Sequence, residues 1–382
     1  MNFDWTEEQN AFFERMKSFA LDEMRDDVIE RDEHSVFAED IWQKAAAFGV
    51  HGMYIPKHYG GQESADIQTA MHAMEALGYG CEDGGLLLAM NAQMWAVQLP
   101  ILHFGTDFQK EHFLPELCAG RWKGAHGITE PSSGSDVFNM KTTAEKVDGG
   151  YVLNGSKCMV TLAPVCDLAL VVASTDPSKG KWGVSTFLVE SSFEGFRRGD
   201  NHLKMGLRTV PIGELHLENC FVPETHRLGK EGGGFSTFNY SLEFERCCIL
   251  ASQVGAMQRQ LEICIRYAKE REQFGQRIGK FQSVSNRIAD MKVRLETSRL
   301  MLYKVAWLKS QGKSAMMDAA ILKLYLSECY AASSEDSLRI HGGRGYLTEN
   351  GVDRDLRDAI GGVLYAGTSD IQRNIVAGLL GV

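Results

Sequence analysis

The distribution of proline constrains the fold of this 382-residue chain more than any other sequence feature. All eight prolines lie at or before Pro223, so residues 224–382 contain none. Because proline lacks a backbone N–H and clashes inside a helix, a long proline-free region permits extended helical packing. The sequence therefore predicts that the carboxy-terminal two fifths of the chain is helical.

The predicted secondary structure changes twice along the chain. Thr6 and Gln9 form a candidate capping box ahead of apolar residues at helical spacing. After residue 118 the helical pattern gives way to short β-rich runs bounded by Gly, Pro, Asn and Asp, and after Gly232 the helical period returns. We therefore predict an α+β fold made of an N-terminal helical domain (residues 1–118), a middle β domain (119–230) and a C-terminal helical domain (231–382).

Charge and cysteine content exclude several classes of protein. The net charge of −10 supplies no basic face of the kind that nucleic-acid binding requires, so we expect no nucleic-acid partner. The nine cysteines are odd in number and show no CxxC pair or His/Cys cluster, which favours a reduced, cytoplasmic setting without a metal site. We expect neither a signal peptide nor a membrane span, because no apolar run approaches eighteen residues.

Common catalytic signatures are also missing from the sequence. It contains no GxSxG, no HExxH and no strand-borne GxGxxG motif. Serine hydrolysis, zinc proteolysis and Rossmann-type dinucleotide binding therefore lack support.

The segment Gly127–Asp136 reads Gly-Ile-Thr-Glu-Pro-Ser-Ser-Gly-Ser-Asp and is the richest local stretch of polar turn residues. One interpretation is a strand that ends in an Asx-type loop. The other is a nest of N–H groups and hydroxyls that binds an anionic or carbonyl-rich ligand. Composition alone leaves both interpretations open.

Three further segments combine glycine with charged or aromatic residues. In Lys269–Gln282, Arg271 and Phe274 are predicted at a helix end that Gly275 terminates, or else as groups that hold a pyrophosphate and cover a ring. Ser337–Tyr346 and Tyr365–Gln372 read as glycine-broken helix junctions, where the backbone could also approach a ligand closely.

Taken in this order, the four segments resemble the acyl-CoA dehydrogenase family of flavoproteins, and the resemblance covers essentially the whole chain. It implies the helix, sheet, helix order and FAD as cofactor. Ile128 and Thr129 would face the pyrimidine edge of the flavin, Ser135 would reach the pyrophosphate, and Thr161 would bond near N5. Met159 stands in Leu153–Thr161 where family members commonly carry tryptophan, and a methionine can still pack against the ring.

The resemblance also implies a cofactor site that spans two subunits of a homotetramer. The RxxFG motif of the family contacts the FAD of a neighbouring subunit, and Arg339 occupies a position often held by glutamine. The remaining residues that the resemblance places around FAD are Arg271, Gln273, Phe274, Gln282, Arg339, Gly343, Thr368 and Asp370.

The position of the catalytic base distinguishes subsets within this family. Many family members carry a glutamate directly before the Gly-Thr of the last motif, but this chain has Ala366 there. A subset similar to isovaleryl-CoA dehydrogenase places its glutamate before an arginine in a helix, which corresponds to Glu245 and Arg246. We therefore predict Glu245 as the α-proton base, Arg246 and Ala366 as substrate-binding residues, and a basicity of Glu245 that burial against flavin and substrate raises. Without the resemblance, a surface carboxylate paired with a cation is the ordinary interpretation.

Short stretches, among them Gly80–Asp83, Arg259–Glu262 and Leu338–Gly345, are similar to the prolyl-carrier-protein dehydrogenases of this family. That similarity implies a prolyl thioester on a carrier protein, oxidised toward a pyrroline or pyrrole. The alternatives are a short or branched-chain acyl-CoA dehydrogenase and a non-catalytic module that binds flavin and carrier protein. An electron-transfer flavoprotein or oxygen is the expected electron acceptor.

Overall fold

The computed structural model describes residues 4–62 and 66–382. The chain begins with a helical region in which a π-helical turn, Ala92–Gln98, joins the fifth and sixth helices. Its helices are α1 (Glu7–Glu23), α2 (Val28–His34), α3 (Glu39–Phe48), α4 (Ile67–Gly80), α5 (Gly84–Asn91), α6 (Leu99–Phe104) and α7 (Asp107–Cys118). The predicted capping box is confirmed, since Thr6 Oγ1 accepts from Gln9 N–H while the Gln9 side chain accepts from Thr6 N–H.

The middle of the chain forms a sheet of eight strands. They are β1 (Gly124–Gly127), β2 (Thr143–Val147), β3 (Gly150–Thr161), β4 (Leu168–Ser174), β5 (Val184–Glu190), β6 (Phe196–Arg198), β7 (Ile212–Pro223) and β8 (Arg227–Leu228). The strand order is β6-β7-β3-β2-β4-β5-β8, and β1 pairs with β4 in parallel. Because β4 is buried along its whole length, β1 enters the interior of the molecule beside it.

Helices dominate the proline-free region, as the sequence predicts. They are α8 (Gly234–Cys248), α9 (Ala251–Glu270), α10 (Gln282–Ser310), α11 (Met316–His341), α12 (Val352–Gly362) and α13 (Ser369–Leu380). A short hairpin, β9 (Glu272–Gln273) and β10 (Gln276–Arg277), interrupts them after α9. The predicted α+β class is therefore confirmed.

Two glycines allow α4 and α9 to pack with unusually close backbones. A Cβ on Gly78 would lie 1.8 Å from Ser252 O, and one on Gly255 would lie 1.9 Å from Glu75 O. One continuous hydrophobic core therefore joins the first helices, the sheet and the last helices.

Gly84–Phe104 is a long, apolar helical run. Gly84–Phe104 is long and apolar enough to span a membrane, but 89% of its most apolar window is buried inside the protein. Burial of this kind is typical of a core helix.

Lys323 on α11 is a cation without a hydrogen-bond partner among the described residues, and its side chain is fully buried. Burial, aided by the charge of Arg246, lowers the pKa of Lys323 to about 8. Between this value and the ordinary value of 10.5, the unfolded chain binds more protons than the folded chain, so the free energy of unfolding rises with pH.

We expect Lys323→Met to increase the free energy of unfolding at pH 7 by an amount on the order of 2 kcal/mol, because it removes a buried charge. The gain shrinks between pH 8 and 10.5, where the folded lysine is already neutral. Urea denaturation at pH 7 and pH 9.5 measures it, with the exposed Lys304→Met as control. A loss of stability in Lys323→Met at pH 7 would contradict the prediction.

Candidate functional site

Glu245 lies inside the protein near the end of α8, and only 8% of the residue is exposed. Its Oε1 accepts a hydrogen bond of 2.7 Å from Ser241 Oγ, one helical turn earlier. The same serine oxygen lies 3.4 Å from the carbonyl oxygen of Trp95 in the π-helical turn. The interpretation of Glu245 as a surface carboxylate is therefore excluded.

His126 on β1 is the second neighbour of this carboxylate, and it lies outside the motifs that the sequence offers. His126 Nδ1 lies 3.6 Å from Glu245 Oε1, and the two side chains are 8% and 11% exposed. No local sequence signal links residues 119 positions apart. The only hint is that His126 directly precedes the Gly127–Asp136 segment.

The electrostatics of Glu245 combine opposing effects. Burial alone raises the pKa of this carboxyl group. Interactions with His126 and Ser241, together with the charge of Arg246, outweigh burial and leave the pKa of Glu245 below its ordinary value in the protein without ligands, so Glu245 is ionised at neutral pH. The rise in basicity expected when flavin and substrate cover Glu245 stays a prediction.

The loop before α13 holds Ala366 in the left-handed region, at φ +52°. The Gln372 side chain fixes this loop by donating to the carbonyl oxygens of Ala366 (3.1 Å) and Gly367 (2.9 Å). Within the described residues, the N–H of Ala366 makes no hydrogen bond. This backbone donor is therefore free to bind a ligand oxygen. Arg246, beside the base, is buried.

The segment after β1 lies against the end of β3. Cys158 N–H donates to the carbonyl oxygen of Thr129 at 2.8 Å, which brings Met159 and Thr161 beside Ile128 and Thr129. Met159 has φ +55° and is 63% exposed. An apolar side chain that is held outward by strained backbone is available to cover a flat ligand.

A buried ion pair fastens these two segments together. Lys157 Nζ lies 2.7 Å from Glu130 Oε1, and the two side chains are 0% and 3% exposed. Glu130 also accepts from the backbone N–H groups of Lys141 (2.5 Å) and Thr142 (3.0 Å). Sequence reasoning placed both charged residues within motifs but gave neither a role. Together they hold the loop that contains Ser135, whose own side chain is exposed.

The segment after α9 is not the glycine-terminated helix end that one sequence interpretation expected. It turns back as the β9–β10 hairpin, in which Gln273 pairs with Gln276. Phe274 (φ +51°) and Gly275 (φ +77°) form its tip, because a two-residue turn of this type needs positive φ at both central residues. Phe274 is 95% exposed. A bulky residue in this conformation and environment is a candidate contact for another molecule.

The other predicted cofactor residues lie at the ends of helices. Gln282 begins α10 and is exposed. Arg339 and Asp370 form local ion pairs, with Glu335 and Arg373 respectively. Thr368 caps α13 by accepting from Ile371 N–H at 3.3 Å.

A small cavity of about 30 Å³ lies one helical turn beyond Glu245. Leu87, Leu88 and Ile249 form part of its apolar lining. Gln253 and Tyr365 also line it and are joined by a 2.8 Å hydrogen bond. A cavity of this size holds about two water molecules, so it has no room for a long acyl chain.

Comparison with known proteins places this geometry in a family. The chain matches the N-terminal (residues 6–121), middle (125–220) and C-terminal (232–380) domain models of acyl-CoA dehydrogenase. It is 43% identical over 348 residues to L-prolyl-[peptidyl-carrier protein] dehydrogenase of Pseudomonas fluorescens, covering 91% of each chain.

Two solved structures are similar over nearly the whole length. The prolyl acyl carrier protein oxidase AnaB is 47% identical with a TM-score of 0.98, over 99% of this chain and 100% of that one. PigA with FAD and proline is 38% identical with a TM-score of 0.97, over 100% of this chain and 99% of that one. This chain therefore belongs to the acyl-CoA dehydrogenase family, as its sequence motifs indicate.

Proposed function

We propose that this protein is an FAD-dependent dehydrogenase that oxidises a prolyl thioester on a carrier protein toward a pyrroline or pyrrole, with Glu245 as the base. The observation that carries the proposal is the buried Glu245 carboxylate beside His126, in a chain whose last motif has Ala366 in place of an acid. Relatives that are named for prolyl-carrier-protein substrates support the choice of thioester.

The residues around the β1 and β3 ends fit FAD. Gly134 and Gly343 have ordinary backbone angles, and a Cβ on either would meet nothing within 4 Å, so the single chain does not require glycine there. Close approach of a cofactor explains both glycines. We propose that Ile128, Thr129, Met159 and Thr161 hold the flavin ring and that Ser135 binds the pyrophosphate. The outer cofactor contacts are proposed to be Arg339, Gly343, Thr368 and Asp370.

The chemistry needs one base and one backbone donor from this chain. The thioester carbonyl acidifies the α-hydrogen, and the ionised Glu245 removes it as a proton. The free N–H of Ala366 is proposed to stabilise the negative charge that develops on the carbonyl oxygen. Bound FAD supplies the acceptor for the β-hydrogen, which leaves as hydride.

We also propose that the cofactor site is shared between subunits of a homotetramer. The exposed residues Arg271, Gln273 and Phe274 of the hairpin, with Gln282 nearby, would contact the FAD of a neighbouring subunit. An electron-transfer flavoprotein or oxygen is the proposed electron acceptor. Nine free cysteines are consistent with a cytoplasmic setting.

Arg271→Ala tests the shared site. We expect purified protein to retain at least about tenfold less FAD, because the loss of a charge-assisted contact to phosphate costs roughly 1.5–3 kcal/mol. The ratio of absorbance at 450 and 280 nm after gel filtration measures it. Arg266→Ala, an exposed arginine five residues earlier, is the matched control. Equal FAD content in both variants would contradict the proposed contact.

The proposed substrate is tested by anaerobic flavin reduction with prolyl-carrier protein and, separately, with isovaleryl-CoA. We expect the prolyl thioester to bleach the flavin rapidly and the CoA ester to do so slowly. Rapid bleaching by the CoA ester alone would favour a branched-chain acyl-CoA dehydrogenase. Failure of both thioesters would favour a non-catalytic module that binds flavin and carrier protein.

A further inference from the structure

Among the described residues, His126 is the one imidazole that faces Glu245. The other polar or charged neighbours on α8 are Ser241, Arg246 and Cys248. A serine hydroxyl only donates to the carboxylate, and an arginine stays protonated. Burial raises the pKa of Cys248 well above its ordinary value, so this thiol stays protonated. The π-helical turn contributes only the carbonyl oxygen of Trp95, which carries no charge.

The two ring nitrogens of His126 have different environments, because only Nδ1 faces the Glu245 carboxylate. Nδ1 faces Glu245 Oε1 at 3.6 Å. No described residue forms a hydrogen bond with Nε2, and this atom is not among the fully buried, unpaired polar atoms. An imidazole in this position can accept a proton at Nδ1 and release another from Nε2. The Nδ1 contact must shorten for transfer, as catalytic contacts often do when substrate binds.

The proposed reaction requires a group that can accept the proton from Glu245. Each dehydrogenation leaves one proton on Glu245, which is buried before any substrate covers it. Oxidation of one prolyl ring to a pyrrole takes two dehydrogenations. When both act on one bound thioester, the base must lose its first proton before the second dehydrogenation. Without an acceptor, the protonated Glu245 cannot act a second time.

We propose that His126 takes the proton from Glu245 between two successive dehydrogenations of one bound prolyl thioester. This inference rests on the proposed function. In the step, the O–H bond of protonated Glu245 breaks and an N–H bond forms at His126 Nδ1, after which Nε2 releases a proton to water. FAD, when bound, would take the hydride of the first dehydrogenation and pass its two electrons to the external acceptor, an electron-transfer flavoprotein or oxygen, with release of a proton to water. His126 is thus a positioning residue that acts through the base.

The test is His126→Asn, which keeps a hydrogen-bonding amide near the position of Nδ1 but cannot accept a proton. The FAD-loaded enzyme is mixed with prolyl-carrier protein and ferricenium as oxidant. Stopped-flow absorbance reports the first flavin reduction, and mass spectrometry of the carrier distinguishes loss of two from loss of four hydrogens. We expect the wild type to reach the loss of four.

In His126→Asn we expect the first reduction to stay within about tenfold of the wild-type rate, while the second oxidation slows by about 10²-fold or more. The product then accumulates at the loss of two hydrogens. Glu243→Gln is the control, because Glu243 lies on the same helix but pairs with Lys309, and this variant should still reach the loss of four.

Several results would overturn the inference. One is that His126→Asn slows both oxidations equally. Another is that His126→Asn forms the product of four-hydrogen loss at the wild-type rate. The third is that the wild-type product has lost only two hydrogens. If prolyl-carrier protein fails to bleach the wild-type flavin at all, the proposed function fails too. Bleaching without the selective defect overturns the proton transfer alone. A melting curve checks folding, and His126→Gln replaces His126→Asn if the latter does not fold.

Discussion

Glu245→Gln is expected to lower the rate of anaerobic flavin reduction by about 10²- to 10⁴-fold, the usual contribution of a general base. Glutamine preserves the shape of the side chain and can still accept from Ser241, but it cannot remove a proton. Stopped-flow absorbance at 450 nm with prolyl-carrier protein measures the rate. The FAD content should stay unchanged, because no residue predicted to hold the cofactor is altered.

Glu243→Gln is the matched control because both glutamates are buried on α8, two positions apart. Glu243 lies 2.5 Å from Lys309 Nζ and accepts from Ala315 N–H at 2.8 Å, so its role is structural. We expect this variant to melt at a lower temperature but to reduce its flavin at nearly the wild-type rate. Flavin reduction that is unchanged in Glu245→Gln would show that the base lies elsewhere.

Lys157→Met is expected to lower the free energy of unfolding by about 3–5 kcal/mol, because it leaves the buried Glu130 carboxylate without its charge partner. The loop after β1, which contains Ile128 and Ser135, should lose its structure first, because Lys157 Nζ also donates to the carbonyl oxygen of Ile128 at 3.3 Å. Chemical denaturation measures the stability, and the absorbance ratio at 450 and 280 nm measures retained FAD. We expect FAD to be lost at denaturant concentrations that leave the wild type loaded.

Two further variants separate charge from packing. Lys146→Met removes an exposed ion pair with Glu231 and should cost less than about 1 kcal/mol. Adding Glu130→Leu to Lys157→Met removes the isolated charge and should recover part of the stability. If Lys157→Met and Lys146→Met lose equal stability, the buried pair is not what fastens the loop.

The balance of charges at Glu245 bears on how the base operates. The structure holds it ionised through His126 and Ser241, although burial alone would favour the neutral acid. An ionised carboxylate is ready to accept a proton as soon as substrate arrives. Its basicity then increases when the thioester displaces the remaining water, because desolvation destabilises the charged form.

Residue identity and spacing predict the class of fold, and the family resemblance predicts the candidate base. A proline-free region after Pro223, helical spacing on both sides and β-rich runs between them depend on local backbone preferences, which neighbouring residues set. The motif segments also follow from residue identity, and the choice of Glu245 over Ala366 follows from what the family resemblance implies. These features need no knowledge of which distant residues meet.

The environment of the site depends on contacts between segments that are distant in the sequence. The approach of His126 to Glu245, the burial of Lys157 against Glu130 and the outward position of Phe274 on a hairpin each depend on chain segments that meet in space. Burial and charge act over a few ångströms, whichever residues are adjacent in sequence. For this reason the interactions with His126 and Ser241, which lower the pKa of Glu245 in the folded chain, could not be predicted from the sequence.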